Sequence, residues 1–309
     1  MPSSKPPLVL IAGPTASGKS ALAIALAQQI NGVIVNADSA QIYQDLRILS
    51  AAPTPEERKL AEHRLYGVLD GAIVCSANDW ADLARREIAD VHQERRTPIL
   101  VGGTGLYIRT LLEGIAPVPP IDPDVRARVR AAPVEANFRE LEAVDPSAAK
   151  RVRPSDTARI NRALEVILAT RRPLSDWQKD RHGGIVGEVD LRALVLTPPR
   201  DWLYARCNDR FQRMIDEGAL GEVEALLERK LDKNLPVMRA IGVGELSDYL
   251  LRHSTLDEAI AAGQQATRRY SKRQYTWFAH QPPADWPRFR EALTRDRIDV
   301  ALALLAKED

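Results

Sequence analysis

The sequence predicts an α/β fold in which a doubly wound parallel sheet is interrupted by an inserted, mainly helical domain. Short apolar runs alternate with helical patterns in residues 1–115, the order typical of parallel sheets covered by helices, and residues 188–309 add a last strand followed by helices. Between them, residues 116–187 are basic and helical in pattern, with a proline-rich entry and a glycine-rich exit. We therefore expect a core domain of residues 1–115 and 188–309 and an inserted domain of residues 116–187. The alternative is that the same helices pack directly against the sheet.

The elements of the core domain follow in chain order. We predict a strand at residues 8–12, a helix at 21–30 that ends at Asn31 and Gly32, and a strand at 33–35 that pairs in parallel with the first. A helix at 77–94, a strand at 98–101 and a helix at 106–113 repeat the alternation. After the insert, a strand at 191–196 returns to the sheet, Asp201 caps a helix that runs to Ile215, and the remainder is helical.

Composition is typical of a cytoplasmic globular protein. The chain has 309 residues, of which 45% are hydrophobic, enough for one or two domains. No apolar run approaches the length that crosses a membrane, and residues 1–7 are too polar for a signal peptide. Only two cysteines occur, Cys75 and Cys207, which excludes a cysteine-rich zinc module and fits a reducing compartment. We expect no membrane association and a monomer.

A phosphate-binding loop of the pattern G-x-x-x-x-G-K-[ST] follows the first predicted strand. Its residues are Gly13, Pro14, Thr15, Ala16, Ser17, Gly18, Lys19 and Ser20. In such a loop, backbone N–H groups and the start of the next helix surround phosphates, the lysine supplies a cation and the hydroxyl can hold Mg²⁺. The motif predicts a P-loop NTPase-like core, and its most direct interpretation is binding of ATP or GTP.

Two further loops should meet the phosphate loop, because ligands bind beyond the carboxyl ends of parallel strands. They are residues 36–41 and 102–105. Asp38 in the first loop suits a general base or an Mg²⁺ ligand, or it merely caps the backbone of its turn. Thr104 in the second loop lies among glycines that let a ligand approach, or it caps the following helix.

Basic side chains cluster on two predicted helices. Arg206, Arg210 and Arg213 share one face of the helix after Asp201, and the arginine fork matches phosphate oxygens. On the last long helix, Arg268, Arg269, Lys272 and Arg273 share a face, a concentration of charge that favours a polyanion. In each case a solvated charged surface is the alternative.

One feature disfavours an ordinary nucleotide hydrolase. The strand at residues 98–101 ends in Gly102 and Gly103, where a Walker B strand would end in Asp or Glu. A small-molecule or nucleotide kinase tolerates this absence better than a GTPase does. The residues thus indicate a phosphate-binding enzyme with a basic insert and leave its substrate open, and a non-catalytic RNA-binding module is a third possibility.

Five ordered blocks together resemble the bacterial tRNA dimethylallyltransferases, and the resemblance covers almost the whole chain. The blocks are residues 13–20, Asp38-Ser39-Ala40-Gln41-Ile42-Tyr43, Val101-Gly102-Gly103-Thr104-Gly105-Leu106-Tyr107, residues 159–165 and residues 267–278. The resemblance implies transfer of a dimethylallyl group from dimethylallyl diphosphate to N6 of adenine 37, beside the anticodon of tRNA. Two segments, residues 50–53 and 242–244, depart from the family pattern and lack a basic residue that relatives have.

The resemblance also implies roles for single residues. The phosphate loop would hold the donor diphosphate, stabilised by Lys19, Arg210 and Mg²⁺ on Ser20. Asp38 would take the proton from N6, and Thr104 would hydrogen-bond within the reaction channel. Because the adenine is stacked in the anticodon loop, it must flip out. The implied tRNA contacts are Asp38, Ser39, Ala40, Gln41, Val101, Arg159, Arg162, Arg268, Lys272 and Arg273.

Overall fold

The computed structural model describes residues 5–305 and divides the chain into two compact units. The first unit is Met1–Leu111 together with Val186–Asp309, and the second is Leu112–Ile185. The first unit contains the sheet and both cavities described below. Over residues 5–305, none of the helices combines the length and the apolar character needed to cross a membrane.

The sheet of the first unit is parallel throughout, which confirms the predicted α/β class. Its order is β3-β2-β4-β1-β5-β6. The strands are β1 (Pro7–Ala12), β2 (Gly32–Asn36), β3 (Glu62–Arg64), β4 (Thr97–Gly102), β5 (Asp190–Leu196) and β6 (Arg288–Phe289). The short edge strands β3 and β6 were not predicted, because two or three residues carry no readable periodicity.

The predicted pairing of the first two strands is wrong. Strand β4 lies between β1 and β2, with Val9 opposite Ile99 and Val33 opposite Pro98. Alternation of apolar residues identifies a strand but not its neighbour, and consecutive strands of a doubly wound sheet need not be adjacent. The consequence for the site is that the loops after β1 and β2 both lie beside the loop after β4.

Fourteen helices longer than a single 3-10 turn occur among residues 5–305. Those of the first unit are α1 (Lys19–Ile30), α2 (Pro55–Leu60), α3 (Ala77–Gln93), α4 (Gly105–Glu113, which reaches into the second unit), α10 (Arg200–Asp216), α11 (Ala219–Glu228), α12 (Val243–Leu250), α13 (Leu256–His280) and α14 (Ile298–Ala303). The expected cap of α10 is wrong, because Pro199 occupies the N-cap position and Asp201 lies in the first turn. In the first turn, the Asp201 carboxylate still interacts favourably with the positive end of the helix dipole.

The second unit is a small helical body with its own core. Its helices are α5 (Pro123–Ala131), α6 (Val134–Val144), α7 (Pro146–Ala149), α8 (Thr157–Thr170) and α9 (Leu174–Trp177). The core is formed by apolar residues of α5 to α8, among them Val129, Leu141 and Leu164. Its buried Asn137 amide donates to the Val129 carbonyl at 2.7 Å and to Asn161 Oδ1 at 2.9 Å. These two bonds use both hydrogens of the amide and join α6 to α5 and α8.

Candidate active site

The phosphate loop joins the end of β1 to the start of α1. Gly18, the residue before α1, has φ +97°, and a Cβ there would lie 2.8 Å from Leu293 Cδ2. Glycine is therefore required both by the left-handed backbone and by the packing. The Lys19 Nζ donates to the Pro14 carbonyl at 2.7 Å, so the ammonium group is folded across the loop.

Burial alters the protonation of the loop lysine. Desolvation lowers the pKa of Lys19 to about 8, although the nearby Asp38 carboxylate opposes this shift and Arg210 adds to it. The charged form is disfavoured because the group has lost water. An anion bound in the loop would restore a partner to this cation.

The arginine stripe of α10 faces the phosphate loop. Arg206 Nε donates to the Ala16 carbonyl at 3.0 Å, and Arg210 Nη1 lies 3.5 Å from Thr15 Oγ1. With Arg213, Lys19 and Ser20 these arginines line a cavity of about 670 Å³, which we call the phosphate cavity. Burial lowers the pKa of Arg210, with the Asp38 carboxylate opposing the shift. The phosphate-binding role predicted for these arginines depends on their facing the phosphate loop, and in the structure they face it.

A buried asparagine shapes the loop that follows β2. Asn36 Oδ1 accepts from the Asp38 N–H at 2.8 Å, its Nδ2 donates to the Leu65 carbonyl at 3.0 Å, and its own carbonyl accepts from Trp80 Nε1 at 3.0 Å. Asp38 Oδ1 accepts from the Ala40 N–H at 3.0 Å. Asp38 therefore does cap its turn, as one interpretation held, and its side chain also lines a cavity.

Thr104 connects the loop after β4 to the loop after β2. Its N–H donates to the Ala37 carbonyl at 3.2 Å, and its Oγ1 accepts from the Ser39 N–H at 3.0 Å. Gly102 permits this approach, since a Cβ there would lie 2.1 Å from the Ala37 oxygen. The Tyr270 hydroxyl of α13 also hydrogen-bonds to Thr104, and burial raises the pKa of Tyr270. The side chain thus bonds to a neighbouring loop, and the Thr104 carbonyl accepts from the Ile108 N–H of α4 at 3.2 Å.

A second cavity of about 310 Å³, which we call the reaction cavity, adjoins the first through Arg210 and Met214, which line both. Asp38 lies on its wall with Tyr43, Tyr107 and Tyr270. Its rim carries the exposed Arg239 and Arg273, and its deep wall is apolar, formed by Leu49, Cys207, Phe211 and Met214. The lining of this cavity therefore combines exposed cationic residues with buried apolar ones.

Gln274 is a site residue that the sequence reasoning placed only on a helix face. Its Oε1 accepts from the Thr15 N–H at 2.8 Å, and its Nε2 donates to the Gly103 carbonyl at 2.8 Å. Gln274 is 5% exposed, and a Cβ on Gly103 would lie 2.3 Å from its Nε2. The sequence signal that could have identified Gln274 is its position on the same face of α13 as Tyr270 and Trp277.

The remaining predicted tRNA contacts occupy different environments. Lys272 and Arg273 are exposed on α13, whereas Arg268 is half-buried and donates to Asn208 Oδ1 on α10.

The other predicted contacts lie away from α13. Gln41 donates to the carbonyls of Ser50 and Ala51, at 3.0 and 2.8 Å. Val101 is 4% exposed within the core. On the second unit, the Arg159 side chain is 75% exposed and Arg162 is also exposed. All of these roles stay predictions.

The donor set for a metal is small. Among residues 5–305, no group of three or more His, Cys, Asp or Glu could hold a metal ion by itself. The Ser20 side chain is exposed at the start of α1 and lines the phosphate cavity. A hard cation such as Mg²⁺ fits a site that combines one hydroxyl with phosphate oxygens and water, because Mg²⁺ keeps several waters and binds mainly through substrate phosphates.

Comparison with known proteins identifies relatives along nearly the whole chain. A family profile described as IPP transferase matches residues 41–281. A tRNA dimethylallyltransferase of Sphingopyxis alaskensis is 57% identical over 293 residues, covering 94% of this chain and 96% of the relative. One of Novosphingobium aromaticivorans is 58% identical over 274 residues, covering 89% and 98%.

Solved structures share the fold. A tRNA isopentenylpyrophosphate transferase of Bacillus halodurans superposes with a TM-score of 0.69 at 33% identity and covers 97% of each chain. A eukaryotic dimethylallyltransferase crystallised acting on tRNA gives a TM-score of 0.81 at 26% identity, covering 96% of this chain and 77% of its own.

Proposed function

The chain belongs to the IPP transferase family, and from this premise we propose that it transfers the dimethylallyl group of dimethylallyl diphosphate to N6 of adenine 37 in tRNA. The products would be N6-isopentenyladenosine and diphosphate. One observation supports this proposal most strongly: Arg210 lines both the phosphate cavity and the reaction cavity. A donor with its diphosphate on Lys19 would therefore present its allylic carbon at the junction, next to Asp38.

The transfer follows from this arrangement. The N6 nitrogen attacks C1 of the dimethylallyl group, the bond from C1 to the bridging oxygen breaks, and its electron pair leaves with the diphosphate. Lys19, Arg206 and Arg210 would stabilise the negative charge that grows on the leaving group, and such preorganised charge is usually the largest catalytic contribution. The energy for transfer comes from the diphosphate ester, so no nucleotide is hydrolysed.

Proton removal is assigned to Asp38. Its Oδ1 is engaged by the Ala40 N–H, which orients the carboxylate and leaves Oδ2 to accept the N6 proton. Thr104, held by Ser39 and Tyr270, would bond to groups in the reaction cavity. When bound on Ser20, Mg²⁺ would supply additional positive charge for the leaving diphosphate.

The tRNA would approach the rim of the reaction cavity. Arg273 and Arg239 are exposed there, and Lys272 lies on the outer face of α13. Cations at such positions neutralise the RNA backbone without reading its sequence. The adenine would then leave its stack and enter between Tyr107 and Tyr270, where side chains can bind its faces. We also propose Arg159 and Arg162 of the second unit as RNA contacts, and a monomer that acts in the cytoplasm.

A P-loop kinase is the competing function, and one experiment separates the two. Purified protein is given ¹⁴C-dimethylallyl diphosphate, MgCl₂ and a tRNA transcript with adenine at position 37, in parallel with a transcript carrying guanine there. We expect label in the first transcript only, and loss of that label in Lys19→Ala. Absence of label, together with transfer of phosphate from ATP, would establish the kinase instead.

A further inference from the structure

We propose that Leu49 and Phe211 form a fixed wall that restricts the donor to a five-carbon chain. This rests on the proposed function, because it assigns the apolar lining of the reaction cavity to the donor tail. Leu49 is 8% exposed and Phe211 is 2% exposed, and both line that cavity. The wall would be the specificity determinant of the site.

The position of the wall follows from the order of residues on α10. Arg210 borders the diphosphate site, and Phe211 and Met214 come one and four positions later on the same helix. A tail bonded to a diphosphate held by Arg210 would therefore enter the reaction cavity beside Met214, which lines both cavities, and Phe211. Three tyrosines and Asp38 also line the reaction cavity, and the polar adenine would bind among them.

Phe211 has no room to retreat. A Cβ added to Gly263 of α13 would lie 2.0 Å from Phe211 Cζ, so the ring packs directly on the backbone of that helix. Gly242, with φ +96°, lies on another side, and a Cβ there would come within 3.3 Å of Phe211 Cε2. Two glycines thus allow the ring to sit deeper than a side chain would permit, and close-packed backbone prevents further movement.

Leu49 is fixed by a carboxylate. The two oxygens of Glu222 on α11 accept from the Ile48 N–H at 2.8 Å and the Leu49 N–H at 2.9 Å. The Leu49 side chain packs against the same Gly242, where a Cβ would lie 2.7 Å from Leu49 Cδ2. Packing on the backbone or paired hydrogen bonds therefore hold Leu49 and Phe211 in place. A longer tail would have to break these contacts to displace them.

The test measures the ratio of kcat/KM for ten-carbon geranyl diphosphate to that for dimethylallyl diphosphate, with one tRNA transcript. We expect Leu49→Ala to raise this ratio by roughly tenfold or more, since a hydrophobic pocket discriminates by this amount for small changes in volume. Phe211→Leu, which keeps an apolar side chain, should shift the ratio in the same direction if Leu49→Ala is poorly folded. Leu226→Ala is the matched control, because Leu226 is 1% exposed but lines neither cavity.

The outcomes separate the wall from the proposed function. Wild-type transfer from the five-carbon donor tests the function itself, and its absence would refute both. If the wild type uses both donors equally well, or if folded Leu49→Ala and Phe211→Leu lose both donors in proportion, the wall does not set chain length. A rise in the ratio for these variants and no change for Leu226→Ala supports it.

Discussion

The backbone N–H of Thr15 donates to Gln274 Oε1 at 2.8 Å, although the two residues are 259 positions apart in the chain. This bond joins the phosphate loop to α13, the helix that places Tyr270 on Thr104 and exposes Lys272 to solvent. Under the proposed function, one face of this helix segment serves the donor site and the opposite face meets the RNA. Because a packed helix moves as a rigid element, RNA contact on its outer face would then be coupled to phosphate binding on its inner face.

We predict that Gln274→Ala lowers both stability and donor affinity. The substitution leaves the Thr15 N–H and the Gly103 carbonyl without their partner, and each unpaired buried group costs about 1–3 kcal/mol. Urea denaturation should show the loss in free energy of unfolding, and KM for dimethylallyl diphosphate should rise. Gln264→Ala on the same helix is the control, since the Gln264 amide donates to the Asn208 carbonyl at a longer 3.4 Å. Equal stability of the two variants would contradict the role of Gln274.

Asp38→Asn should abolish proton transfer while keeping the loop intact. The asparagine Oδ1 can still accept from the Ala40 N–H, so the turn survives, but the amide cannot take a proton. We expect kcat to fall by about 10²–10⁴-fold, the usual contribution of a general base. The Kd for tRNA, measured by filter binding, should change far less than kcat. A variant that loses tRNA affinity and keeps its single-turnover rate would exclude Asp38 as the base.

Donor capture should weaken at alkaline pH. The pKa of Lys19 is lowered to about 8 by desolvation, so the free enzyme loses this cation as pH rises through that value. We expect kcat/KM for dimethylallyl diphosphate to decline above pH 8, since this parameter reports ionisations of the free enzyme. In Lys19→Arg the decline should move to higher pH, because arginine stays protonated. An identical alkaline limb in that variant would assign the ionisation to another group.

The same shift affects stability in the opposite direction. Between pH 8 and pH 10.5 the unfolded chain holds the Lys19 proton and the folded chain has released it, so this residue makes the folded state more stable as pH rises through that window. Lys19→Met should remove this contribution. Thermal denaturation of the two proteins at pH 7.5 and pH 10 measures it, and a parallel pH response of both would show that Lys19 is not perturbed.

Lys272→Ala should weaken tRNA binding in a salt-dependent way. A lysine that neutralises one phosphate releases about one counterion, so its loss should reduce the slope of log K against log salt by about 0.7–0.9. Lys230→Ala is the matched control, because Lys230 is exposed at the end of α11 and lines neither cavity. An unchanged slope for Lys272→Ala would show that the outer face of α13 is an ordinary solvated surface and not an RNA contact.

The local chemistry of the site could be predicted from short stretches of sequence. The phosphate loop, the strand before it and the helix after it are encoded in consecutive residues, because backbone conformation and hydrophobic period are local properties. The convergence of three loops likewise followed from a general property of parallel sheets. The family followed from five motifs in order, and the comparisons confirm it.

Relations between distant segments were decided only by the tertiary structure. The position of β4 between β1 and β2, the bonds of Gln274, and the wall of Leu49 and Phe211 all depend on contacts across many positions of the chain. Such contacts depend on shape and on close approach to glycine backbone, which periodicity does not encode. The sequence by itself identified the candidate groups for the chemistry. Tertiary packing determined that Arg210 borders two cavities, because only the folded helix α10 brings one guanidinium against both.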